Sequence, residues 1–143
     1  LVRVVFGKAA HYKVMEDPHE KAEKFAILFG AGYKPGVSSD YDAVVRAKSV
    51  GADTVVNLSN VAYVYDKDPG KFKDAKILER VSWAEYRRMF DTKWIPGANI
   101  PFDQKAAAEA ARGHIRVAFM DGRNLKNFEG FLQGKPFRGT IIG

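Results

Sequence analysis

The sequence contains no cysteine. Disulfide staples and thiolate-held metals are therefore excluded, and the composition fits a reducing compartment, with a cytoplasmic location expected. Histidine is scarce: His11, His19 and His114 lie scattered without acidic partners at ligand spacing, so no metal-ligating set is expected. No apolar run approaches the ~18–20 residues of a membrane-spanning helix, and no membrane partner is expected. Linkers, repeats and low-complexity segments are missing as well. What is present is ordinary globular composition, with 46% hydrophobic and 28% charged residues among 143. That length is close to the roughly 150 residues of a single domain. Lysine and arginine outnumber the acids 23 to 17, a net charge of +6. A mildly basic surface suits phosphate-bearing partners of any size, but no aromatic–basic platform points to a nucleic acid.

The chain opens at Leu1 rather than at methionine and enters Val2-Arg3-Val4-Val5-Phe6 at once. Such a beginning is expected of part of a longer protein, and no signal peptide is read there. Residues 2–6 and 25–29 are expected as short buried strands. Residues 40–50 place Ala43, Val44, Ala47 and Val50 three and four apart, with Gly51 as a stop, which predicts an amphipathic helix. Residues 54–58 read as the next strand. Strand, loop, helix and strand make one βαβ unit, in which a parallel pair is expected. Residues 61–76 read as mixed, with Asp66, Asp68, Pro69 and Gly70 marking a surface loop. Ser82-Trp83-Ala84-Glu85 has the form of a capping box and predicts a short helix over 83–90. A loop over 91–99, an alanine-rich helix over 103–112, a buried strand over 115–120, a helix over 125–132 and a strand over 138–142 complete the reading. The sum is an α/β layered fold with a largely parallel sheet.

Two stretches carry candidate chemistry. In Gly30-Ala31-Gly32-Tyr33-Lys34-Pro35-Gly36-Val37-Ser38-Ser39-Asp40, glycines allow close approach of a ligand to the backbone. The following helix points free N–H groups at the loop, Ser38 and Ser39 add hydroxyls, and Lys34 adds charge. Open α/β sheets seat ligands at such places, although no Walker-type Gly-Lys-Ser/Thr closes the loop. The alternative is a plain turn in which Ser39 or Asp40 caps the helix. Asp40 is the candidate catalytic carboxylate. The second stretch, residues 57–69, follows the next strand and should share the same sheet edge. Ser59 and Asn60 could bond a phosphate, Tyr65 could offer a face to a base, and Asp68 could hold a ribose hydroxyl. Each could equally be a turn or core residue.

These motifs occur in a recognisable order: the glycine loop ending Ser38-Ser39-Asp40, then Ser59-Asn60-Val61 with Val64-Tyr65 and Asp68-Pro69, then Asn99-Ile100-Pro101-Phe102-Asp103. Asp121-Gly122-Arg123-Asn124-Leu125 and Phe137-Arg138-Gly139-Thr140-Ile141 close the series. From about Phe25 onward the chain resembles the amino-acid-kinase superfamily, and within it the archaeal uridylate kinases. The resemblance implies a three-layer αβα sandwich, present as the C-terminal portion of one domain. It implies transfer of the ATP γ-phosphoryl group to UMP with Mg²⁺, positioning and charge doing most of the work. UMP falls on Tyr33, Lys34, Pro35, Gly36, Val37, Ser38 and Ser39; ATP falls on Ser59, Asn60, Tyr65 and Asp68. A homo-oligomer, hexameric by resemblance, goes with it. Three positions depart from the family pattern: Ala62 replaces an acid, Gln104 a proline and Ala108 a lysine. The family's N-terminal phosphate loops are not found in the chain. Inactivity of this polypeptide alone is therefore expected. A catalytically dead nucleotide-binding subunit, or an acyl-substrate kinase of the same superfamily, are the competing readings.

Overall fold

A computed structural model describes residues 2–22, 25–90 and 100–143. The glycine loop leads into α2 (Ser39–Val50), reached through β1 (Ala10–Met15) and β2 (Ile27–Gly30). Ser38 caps α2, its side chain accepting from the Tyr41 N–H at 3.2 Å. Gly51 closes the helix in the left-handed region at φ 72°, where a side chain would be strained. Beyond it come β3 (Thr54–Ser59), the hairpin strands β4 (Val64–Tyr65) and β5 (Ile77–Leu78), β6 (Arg80–Val81) and α3 (Trp83–Met89). The predicted capping box is observed, Ser82 and Glu85 each satisfying the other's backbone. Then follow α4 (Gln104–Arg112), β7 (Arg116–Asp121), α5 (Leu125–Leu132) and β8 (Thr140–Ile142).

The main sheet runs in the order β3-β7-β8-β6. β3 and β7 are parallel over Thr54↔Arg116 to Ser59↔Asp121, β6 and β8 are parallel, and β7 and β8 are antiparallel. β7 is the spine, with Val117, Ala118, Phe119 and Met120 all buried. Burial of successive residues means that both faces of the sheet are covered. Val117 and Phe119 join Val44, Tyr86, Phe102, Ala106 and Ala110 in the core formed with α2, α3 and α4. On the opposite face the Asn127 amide of α5 reaches the Met120 sulfur at 3.9 Å. The three-layer α/β expectation is met in this way.

Four details correct the sequence reading. Residues 2–6 are not a buried strand: α1 (Val2–Val5) is a helical turn with no buried residue, and Phe6 packs its ring 5.6 Å from Phe29. Four apolar residues interrupted by Arg3 do not distinguish strand from helix. β2 begins at Ile27, is half-buried, and leaves Phe25 exposed. Its ladder partner is β1, a mixed polar strand that the pattern did not reveal, while β3 pairs with β7. A crossover helix sets direction and hand but not adjacency, and the apolar β7 offers β3 the longer register. Finally, the mixed stretch 61–76 contains a strand that the reading did not place, Val64 and Tyr65 pairing with Leu78 and Ile77. Val64 is anchored there by its N–H to the Thr140 hydroxyl at 2.9 Å. The loop expected over 91–99, with Trp94 and Asn99, lies outside the described residues.

Candidate functional site

The loop after β2 is held by its own backbone. The Tyr33 N–H donates to Asp42 Oδ2 at 2.9 Å, which pins the loop to the first turn of α2. Gly36, at φ 82°, closes a turn in which Val37 N–H reaches Lys34 O, a conformation that glycine adopts without strain. Beneath the loop, Arg46 Nη2 donates to Met15 O at 3.3 Å and to Ala31 O at 3.5 Å, joining the ends of β1 and β2.

A cleft of about 470 Å³ opens between this loop and the start of α4. Tyr33, Lys34, Gly36, Val37 and Ser38 line one side, with the Lys34 ammonium 4.8 Å from the centre of the Tyr33 ring. His19, Tyr41, Asp103 and Lys105 supply the remainder. The residues predicted from the loop do not all share this cavity. Pro35 and Ser39 face a neighbouring cleft of about 460 Å³ together with Asp42. The helix cap is Ser38, rather than Ser39 or Asp40.

Asp40 stands behind the cleft. Its Oδ1 accepts from the Asn57 amide at 3.3 Å and its Oδ2 from the Asp103 N–H at 2.9 Å. Burial raises its pKa above the ordinary carboxylate value; the nearby Asp103 charge adds to this and the Asp103 N–H works against it. One side chain thus ties α2 to β3 and to α4. Asp103 in turn caps α4, its Oδ1 accepting from Ala106 N–H at 2.9 Å. Just before it, the buried Tyr86 hydroxyl accepts from Phe102 N–H and donates to Phe102 O, both at 2.8 Å.

The second predicted group lies at the carboxyl end of β3. The Ser59 carbonyl accepts from Gly122 N–H at 2.8 Å, and the Asn60 carbonyl from Arg123 Nη2 at 2.8 Å. Arg123 also grips Asp121 with Nε and Nη2 at 2.9 Å, which holds that carboxyl below its usual range. Tyr65 sits on β4, and the Asp68 carboxylate closes a turn by accepting from Gly70 N–H at 2.8 Å. Among the described residues no hydrogen bond joins the Ser59–Asn60 pair to Tyr65 or Asp68. Asp103 belonged to a quoted motif but carried no role there, whereas His19, Tyr41 and Lys105 gave no sequence signal. Among the described residues no three His, Asp or Glu side chains converge. Ala62 offers only a methyl at its position.

The clefts open at the loop after β2, the kind of place where open α/β folds seat their ligands. Residues 20–121 match the model described as the amino acid kinase family, and the chain belongs to that family. The uridylate kinase of Methanobrevibacter smithii is 29% identical over 148 residues, covering 99% of this chain and 65% of that protein. The uridylate kinase of Ignicoccus hospitalis is 35% identical over 119 residues, covering 81% and 53%. The crystal structure of uridylate kinase from Archaeoglobus fulgidus superposes with a TM-score of 0.80 at 26% identity, covering 98% of this chain and 64% of that one. The chain thus spans between a half and two thirds of the length of these relatives.

Proposed function

We propose that this chain is the C-terminal portion of a single-domain uridylate kinase, which transfers the γ-phosphoryl group of ATP to UMP. A phosphate oxygen of UMP bonds to the γ-phosphorus, the bond to the bridging oxygen breaks, and UDP and ADP result. The observation that carries the reading is the 470 Å³ cleft. Tyr33, Val37 and Tyr41 offer it apolar walls for a base and sugar, and Lys34 and Lys105 offer it positive charge. Tyr33 to Ser39 bind UMP in this reading, and Ser59, Asn60, Tyr65 and Asp68 take ATP. Asp40 serves as a positioning residue that holds Asp103 and α4 against the cleft. A cytoplasmic location and a homo-oligomer, hexameric as in the resemblance, accompany the proposal.

Ala62 favours a second reading, in which the chain binds nucleotide without turning it over. Titration of the full-length protein with UMP and with ATP, followed by a coupled assay for ADP release, separates the two. Binding with turnover supports the kinase reading. Binding without turnover, unrelieved by Ala62→Asp, supports the second. Failure of UMP to bind overturns both.

A further inference from the structure

Several lysines of this protein lie beside carboxylates: Lys13 by Glu20, Lys48 by Glu109, Lys67 by Asp74 and Lys71 by Asp68. Lys105 does not. Among the described residues it makes neither an ion pair nor a hydrogen bond. Yet it stands on a firmly held turn. Asp103 N–H is bonded to Asp40, Ala106 N–H to Asp103, and the backbone of Phe102 to Tyr86. The stem of Lys105 therefore starts from a fixed point, with its charge unspent.

Lys105 borders two cavities. One is the cleft of Tyr33 and Ser38. The other is a groove of about 510 Å³ between α3 and α4, where its companions are Arg87, Arg88 and the uncharged Gln104 and Ala108. Among the described residues no carboxylate lines that groove. Among the described residues the one acid in the cleft is Asp103, and its Oδ1 is taken by Ala106 N–H. Among the described residues, positive charge on this wall is thus left without a partner, beside apolar walls that suit a nucleoside. An anion is the group that relieves it. Ala108, one turn further along α4, brings only a methyl to the same groove, so α4 presents its charge through Lys105.

Resting on the reading of this cleft as a nucleotide site, we infer that Lys105 is a further substrate-binding residue. Its ammonium donates to a phosphate oxygen of the nucleoside monophosphate seated against Tyr33 and Ser38. The test compares UMP with uridine, which lacks the phosphate, by calorimetric or NMR titration of the full-length protein and its Lys105→Met and Lys105→Arg variants at low salt. Lys105 is exposed, so neither variant threatens the fold. Lys105→Met is expected to weaken UMP about tenfold and leave uridine unchanged, while Lys105→Arg stays within about twofold of the parent. Unchanged UMP affinity in Lys105→Met overturns the inference, as does an equal loss for UMP and uridine, which assigns the side chain to the base or sugar wall. A parent chain that binds neither ligand overturns the nucleotide reading itself.

Discussion

Tyr86→Phe isolates a single hydroxyl at the point where the core meets the cleft. The Tyr86 ring is fully buried, edge-on to Trp83 at 6.0 Å and tilted on Phe90 at 4.7 Å. Phenylalanine keeps those ring contacts. What it removes is the oxygen that accepts from Phe102 N–H and donates to Phe102 O, both at 2.8 Å. Phe102 is itself 1% exposed, so water cannot replace either bond. A buried polar group left without a partner costs about 1–3 kcal/mol. With an N–H and a carbonyl both affected, a loss of about 2–4 kcal/mol is expected, a large share of the roughly 5–15 kcal/mol of an ordinary domain. Taking a urea m-value of about 2 kcal/mol/M, the midpoint should fall by about 1–2 M. The Phe102 amide should lose hydrogen-exchange protection before the β7 amides do. Because Phe102 precedes Asp103, the first turn of α4 should loosen and UMP binding should weaken with it. A loss below about 0.5 kcal/mol with full Phe102 protection would refute the reasoning, since it would mean that the hydroxyl contributes no net stabilisation.

Two further perturbations test other parts of the fold. A Cβ added at Gly139 would lie 2.3 Å from the Phe119 carbonyl oxygen and 2.5 Å from the Phe137 ring. The first obstacle is backbone of the central strand, which no side-chain rotation relieves, so Gly139→Ala should cost about 3 kcal/mol and lower Tm by roughly 10 °C; an unchanged Tm would show that the strand yields freely. Glu109 is held below its ordinary pKa of 4.5 by hydrogen bonds from Lys48 and then Arg112. A carboxyl whose folded pKa is lowered contributes stability above its unfolded value and loses it as pH falls through the folded one. Glu109→Gln should therefore be less stable than the parent near neutral pH, with the gap closing as pH falls below 4.5. Urea midpoints across that range check it, and a pH-independent gap would contradict the electrostatic account.

Sequence reading and structure agree where the signal is local. The stop at Gly51, the box of Ser82 and Glu85, and α5 over Leu125–Leu132 each depend on residues within one turn of one another. Hydrogen bonding and backbone freedom at such short range leave few alternatives, and pattern alone is enough. The order of motifs along the chain was legible in the same way, and it led to the family that residues 20–121 match. The site was legible as a loop, because glycines and serines at a strand end advertise close backbone approach.

Partners distant along the chain were not legible. Nothing in residues 10–15 marks them as the strand beside β2, and nothing in residues 54–59 names β7 as their neighbour, because pairing is decided by which edges the packed layers bring together. The roles of Asp40 and Lys105 belong to the same class. An aspartate in the first turn of a helix reads as a cap or a catalyst; only the packing of α4 against α2 makes Asp40 the clamp on Asp103. A lysine in an alanine-rich helix reads as solvated. It becomes a wall of the cleft of Tyr33 and Ser38 once Tyr86, Phe102 and Asp103 have fixed the turn that carries it. Local chemistry determined the main helices, the stop at Gly51 and the capping box at Ser82, and the order of motifs pointed to the family. Burial of both faces of β7 decided which loops meet, and with them the shape and charge of the cleft.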